Sequence, residues 1–217
     1  MPGSLRGWWF VLLSVMCLCG LSLAATEAPT DFIRRTTESI VRMFEDPQLR
    51  DTLPRQERLQ RLRDIAKTTF DWPEIAKRAL ATHWRERTPE ERQEFTALFR
   101  EFVLATYLER LEAAAPQGLQ EKQAILYIGE QVSGQQAVVR TTVVTKRFRE
   151  IPLDYRLRES EGQWRIYDIL IMGVSLVSNY RAQFQRIIAQ SSYQELVRQL
   201  RARQLREVFA EPPHGSR

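Results

Sequence analysis

The chain reads as an α+β protein: an antiparallel sheet of about four strands set between two groups of helices. Three observations predict this. Apolar residues recur at helical spacing as far as Gly118, behind repeated helix-start devices. Between Gln123 and Ile171 the period drops to two, punctuated by glycine turns. After Gly173 the helical period returns.

Each element has its own local warrant. Thr30 or Asp31 is positioned to cap a first helix with the stripe Phe32, Ile33, Thr36, Ile40 and Phe44, and Asp46-Pro47 ends it. A second helix starts near Pro54 and turns Leu59, Leu62, Ile65 and Ala66 inward. In Asp71-Trp72-Pro73-Glu74, the aspartate accepts from a free N–H and the proline lacks the N–H that would go unpaired. The glutamate reaches back to the cap. Ile75, Ala79 and Leu80 then face inward, with Trp84 at the end. Thr88-Pro89-Glu90-Glu91 repeats the device before a long helix whose inner side carries Phe95, Leu98, Phe99, Phe102, Val103, Thr106 and Leu111, with Tyr107 at its edge. Ala115 to Gly118 stops it.

The strands follow as a meander: Gln123–Ile128, Gln135–Lys146, Ile151–Arg158 and Trp164–Ile171, with turns at Gly134 and Glu161-Gly162. In the last strand, Trp164, Ile166 and Leu170 alternate with Tyr167, Ile169 and Ile171, so it is apolar on both faces apart from Asp168. Beyond Gly173 a helix carries Val174, Val177, Tyr180 and Phe184. Ser192 caps a final helix through Leu196 and Leu200, and residues 211–217 read as a disordered tail.

Residues 1–24 read as a secretory signal, with Arg6 as the charged start and Trp8–Leu23 as the apolar stretch. Ser22-Leu23-Ala24 forms the cleavage site, near Ala24 and Ala25. The apolar stretch is shorter than the roughly 20 residues a membrane span needs. Cleavage removes Cys17 and Cys19, the only cysteines, and with them any disulfide, thiol chemistry or cysteine-bound metal. It also removes Arg6, lowering the formal charge from +5 to +4. That mild excess suits either a solvated helical face or transient attraction to anionic headgroups or an acidic partner. Residues 25–210 then form one domain.

Chemistry is sparse. The two histidines, His83 and His214, lie on a helix end and in the tail, so no metal site is expected. There is no P-loop, dinucleotide-binding glycine motif or nucleophile elbow. Asp168 is either a carboxylate satisfied by backbone or arginine, or a general base in a pocket of the isomerase type. Large apolar side chains, among them Phe99, Val103, Tyr107, Val177, Tyr180 and Phe184, fill a core or surround a cavity. Composition by itself gives the filled core.

Two stretches carry a resemblance. WRIYDILIMGVSLVSNYRAQF, Trp164 to Phe184, resembles the signature of the MlaC family of periplasmic phospholipid carriers. It departs at Met172, where an acidic residue is usual. FDWPEIAKRALATHWRERTPEERQEFTALFREFVLATY, Phe70 to Tyr107, is similar to a second conserved block of that family, and SYQELVRQLR from Ser192 to a third. The resemblance implies an NTF2-like fold, a curved sheet with helices across its concave side, and an interior that holds phospholipid acyl chains. It implies a periplasmic shuttle between inner and outer membranes, without cofactor or catalysis. It also implies docking to an inner-membrane ABC transporter with an MCE-type subunit and to an outer-membrane lipoprotein–porin complex. The expected cavity wall is Val103, Tyr107, Val139, Thr141, Val143, Ile169, Ile171, Val174, Val177, Tyr180 and Phe184. Alternatives are a carrier of another envelope lipid (a hopanoid or hydrocarbon), a pocket enzyme using Asp168, or an exported adaptor with a filled core.

Overall fold

A computed structural model describes residues 27–46, 48, 52–118, 124–144, 150–203 and 205. The expected signal segment, residues Gln123 and Lys146 at two expected strand ends, the Leu111 side chain and the expected C-terminal tail lie outside the described residues. The elements run α1 (Pro29–Glu45), α2 (Arg55–Thr69), α3 (Trp72–Leu80), a 3-10 turn (Ala81–Trp84) and α4 (Pro89–Gly118). Five strands follow, β1 (Ala124–Ser133), β2 (Gln136–Val144), β3 (Ile151–Ser160), β4 (Gln163–Ile171) and β5 (Val174–Ser175), then α5 (Leu176–Gln190) and α6 (Tyr193–Arg201). The sheet is antiparallel throughout, in the order β1-β2-β3-β4-β5.

Most helix starts follow their local chemistry. At α4, Thr88 N–H donates to Glu91 Oε2 at 2.9 Å and Glu91 N–H to Thr88 Oγ1 at 3.2 Å, a reciprocal capping box. Ser175 and Ser192 cap α5 and α6. Two starts differ from expectation. Helix α1 begins at Pro29, with Ala28 as an N-cap that makes no side-chain bond. Proline at the first position removes one orphan N–H and presets φ. That releases Thr30 to hydrogen-bond Glu130 of β1, 2.6 Å from its hydroxyl. At α3, Asp71 accepts from Glu74 N–H at 3.1 Å as expected. The Glu74 side chain does not reach back. It pairs with Arg78 at 2.7 Å and with Arg158, because Asp71 N–H already donates to Ile166 of β4 at 2.8 Å.

The sheet has one more strand than the alternation suggested. Val174 pairs with Ile171 as part of β5, and α5 begins only at Leu176. Strand β4 also does not alternate strictly. Arg156 pairs with Asp168 but Leu157 pairs with Ile166, so Tyr167 is an extra residue in a bulge. Trp164 and Ile166 therefore share a face with Ile169 and Ile171, opposite Leu157, Tyr155 and Leu153. The predicted opposition of Ile166 to Ile169 is overturned by this single inserted residue.

The buried residues fall into two clusters. One joins α2 to α6 and includes Phe95, Phe99, Phe102, Tyr180, Phe184, Leu196 and Leu200. The other joins α1 to the sheet through Phe32, Ile33, Ala137, Val139, Leu157, Trp164 and Ile166. Between them the packing does not close.

Candidate functional site

A cavity of about 470 Å³ lies where the two clusters meet. Helix α1 contributes Ile33, Thr36, Thr37 and Ile40, and α2 contributes Leu62, Ile65, Ala66 and Thr69. The segment into α3 adds Phe70, Trp72 and Ile75. Helix α4 presents Phe99, Val103, Leu104, Tyr107 and Leu108. The sheet supplies Leu153, Tyr155, Ile166, Asp168, Ile169 and Ile171, and α5 supplies Leu176, Val177 and Tyr180. Such a wall suits an aliphatic ligand. Its volume falls in the range of roughly 300–1,000 Å³ found for small-ligand sites.

Several polar groups in this wall are engaged in holding the fold. Thr37 Oγ1 donates to Ile33 carbonyl at 2.8 Å, back along its own helix. The Tyr107 and Tyr180 hydroxyls lie 3.4 Å apart. Burial pushes the Tyr155 hydroxyl well above the usual tyrosine range, so it stays protonated. Asp168 is buried, and its carboxylate accepts from Ser175 Oγ at 2.7 Å, from Val177 N–H at 3.1 Å and from Arg156 at 3.2 Å. The first two bonds fasten β4 to the start of α5. The satisfied-carboxylate reading of Asp168 is the one this geometry supports. Among the described residues no group of three His, Cys, Asp or Glu side chains is arranged to hold a metal. His83 sits on the 3-10 turn with Nδ1 3.2 Å from Glu86, outside the cavity wall.

Six of the expected wall residues face the cavity: Val103, Tyr107, Ile169, Ile171, Val177 and Tyr180. Five do not. Val139 and Thr141 are on the helix-covered face of the sheet, opposite Tyr155 and Leu153, and both are buried. Helix α1 closes over this part of the sheet and packs Val139 against Phe32 and Ile33, so no space remains there. Thr141 Oγ1 donates to Leu153 carbonyl at 2.7 Å. Val143, opposite Ile151, is half-buried and beyond the wall. Val174 is 42% exposed on β5. Phe184 is enclosed by Phe95, Phe99 and Tyr180, one turn too far along α5.

The larger omission is the whole contribution of α1 and α2. Their stripes, Ile33 and Ile40 or Leu62 and Ile65, were legible as inward faces. Nothing local distinguishes an inward residue that meets a neighbour from one that meets a void.

Two comparisons bear on this arrangement. The profile of the family described as MlaC protein matches residues 34–202. Among solved structures, the chain is similar to a phospholipid-binding protein from Ralstonia solanacearum, determined in complex with a phospholipid. The two are 24% identical over 80% of this chain and 94% of that one, with a TM-score of 0.64. At that identity the likeness establishes the fold.

Proposed function

The chain belongs to the MlaC family, and from that premise we propose that it is an exported, periplasmic phospholipid carrier whose cavity holds acyl chains. The observation that carries this reading is the apolar cavity between the sheet and α1, α2, α4 and α5. The similar Ralstonia protein was determined with a phospholipid bound, which supports the same ligand class here. In this reading the sheet is curved in the NTF2-like manner, with the helices spanning its concave side.

The physical task needs no reactive group. Exposing one acyl chain of about 15 methylenes to water costs on the order of 12 kcal/mol, at roughly 0.8 kcal/mol each. A wall of leucine, isoleucine, valine and aromatic side chains replaces water around the chain and removes most of that cost. The headgroup remains at the mouth, in water. Loading and delivery then fall to docking partners: an inner-membrane ABC transporter with an MCE-type subunit, and an outer-membrane lipoprotein–porin complex. The protein moves lipid between the two membranes as a stoichiometric carrier.

Native mass spectrometry of the mature protein, purified from its own periplasm without detergent, tests the proposal. The expected spectrum shows protein plus a phospholipid mass. A hopanoid or hydrocarbon mass replaces the ligand class while keeping the carrier. A bare protein that also yields no lipid on organic extraction overturns the carrier.

A further inference from the structure

The turn between β4 and β5 is built against its setting. Ile171 pairs with Val174, leaving Met172 and Gly173 as the two central residues of a tight hairpin. Both have positive φ, 51° and 80°. Glycine, asparagine and aspartate adopt this conformation readily, whereas other side chains meet a steric penalty. The other end of β4 is an internal control. There Glu161 and Gly162 form a hairpin with φ of 54° and 73°, and the first position carries an exposed charged residue, as a wet turn should. At the β4–β5 turn the same position carries methionine, 46% exposed, beside Val174 at 42%. Neither turn geometry nor packing asks for two large apolar side chains in water here.

Their surroundings give a reason. Ile171 before the turn and Leu176 after it both belong to the cavity wall. Met172 N–H donates to the carbonyl of Pro152 at 2.9 Å, and the next residue, Leu153, is also in the wall. The exposed apolar residues Met172 and Val174 thus adjoin, in the chain or across the strand pairs, the wall residues Leu153, Ile171 and Leu176.

We propose that the Met172–Val174 turn is the lip over which an acyl chain passes on its way into and out of the cavity. The inference rests on the reading of the cavity as an acyl-chain site. A chain in transit has left its donor and has not yet reached the wall, so its methylenes meet water. An apolar lip covers several of them at that point and lowers the barrier. Methionine suits the role as an exposed apolar side chain, a property that leucine shares. The lip affects the rate of exchange and leaves the amount bound unchanged, because a seated chain lies beyond it.

The test compares Met172→Asn with Met172→Leu, both delipidated, in stopped-flow loading with a fluorescent anthroyloxy-labelled palmitate. Asparagine suits the positive φ, so Met172→Asn should melt at or above the parent temperature and reach the same final occupancy. Its loading should be about tenfold slower, as expected when about two methylenes stay wet at the barrier. Met172→Leu should load at the parent rate. Equal rates for Met172→Asn and parent overturn the lip, and so does a Met172→Leu variant as slow as Met172→Asn. A parent that takes up no palmitate and no lipid overturns the acyl-chain cavity itself, and the lip falls with it.

Discussion

Helix α4 passes through two differently packed regions within about four turns. Around Phe95, Phe99 and Phe102, rings from α5 and α6 close in, with Tyr180, Phe184 and Tyr193 at centroid distances of 5.0 to 6.3 Å. Most of these contacts are tilted or edge-to-face, the arrangement that lets rings interlock without gaps. A turn later, Val103, Leu104, Tyr107 and Leu108 face the cavity. There the opposite wall, from the sheet, α1, α2 and the segment into α3, is mostly aliphatic, with Phe70, Trp72 and Tyr155 among it, and does not reach across. Both regions are hydrophobic, and side-chain reach separates them. Phe99 and Tyr180 stand on the border, in contact with the rings and with the cavity.

The two regions should answer oppositely to changes in volume. The largest effect is expected in the filled one. Phe184→Ala removes a fully buried ring from among three others and should cost about 3–5 kcal/mol, read by denaturant unfolding. The fraction that still folds should carry its usual lipid. A loss of lipid at unchanged stability would move Phe184 to the cavity wall.

An intermediate effect is expected at the seam. Asp168→Asn weakens the bonds that hold Ser175 and Val177 to β4, at a cost of about 2 kcal/mol. The folded variant should still yield lipid on extraction. If it folds normally and loses a measurable turnover, Asp168 is a catalytic base and the carrier reading fails.

The smallest effect on stability is expected in the hollow region. Val103→Trp projects a large ring into existing space, so the melting midpoint should shift by less than about 1 kcal/mol equivalent. Bound lipid, weighed by native mass spectrometry, should disappear. A stability loss of about 1–3 kcal/mol, the range for overpacking a filled core, would show that the space around Val103 is already occupied.

What the sequence determined by itself is everything governed by neighbours a few residues apart. The Thr88–Glu91 capping box, the Asp71 cap, the glycine turns, the β2 and β3 alternation and the helix after the Gly173 hinge all follow from such short-range chemistry. Tertiary structure decided the rest. The bulge at Tyr167 is set by pairing with β3, and one inserted residue changes which side chains share a face. Whether an inward residue meets a neighbour or a void depends on elements far apart in the chain. Helix α1 fills the space over Val139, while α1, α2 and α4 together leave it open over Ile169. A cavity is a deficit of volume summed over several elements, and no local pattern records that sum.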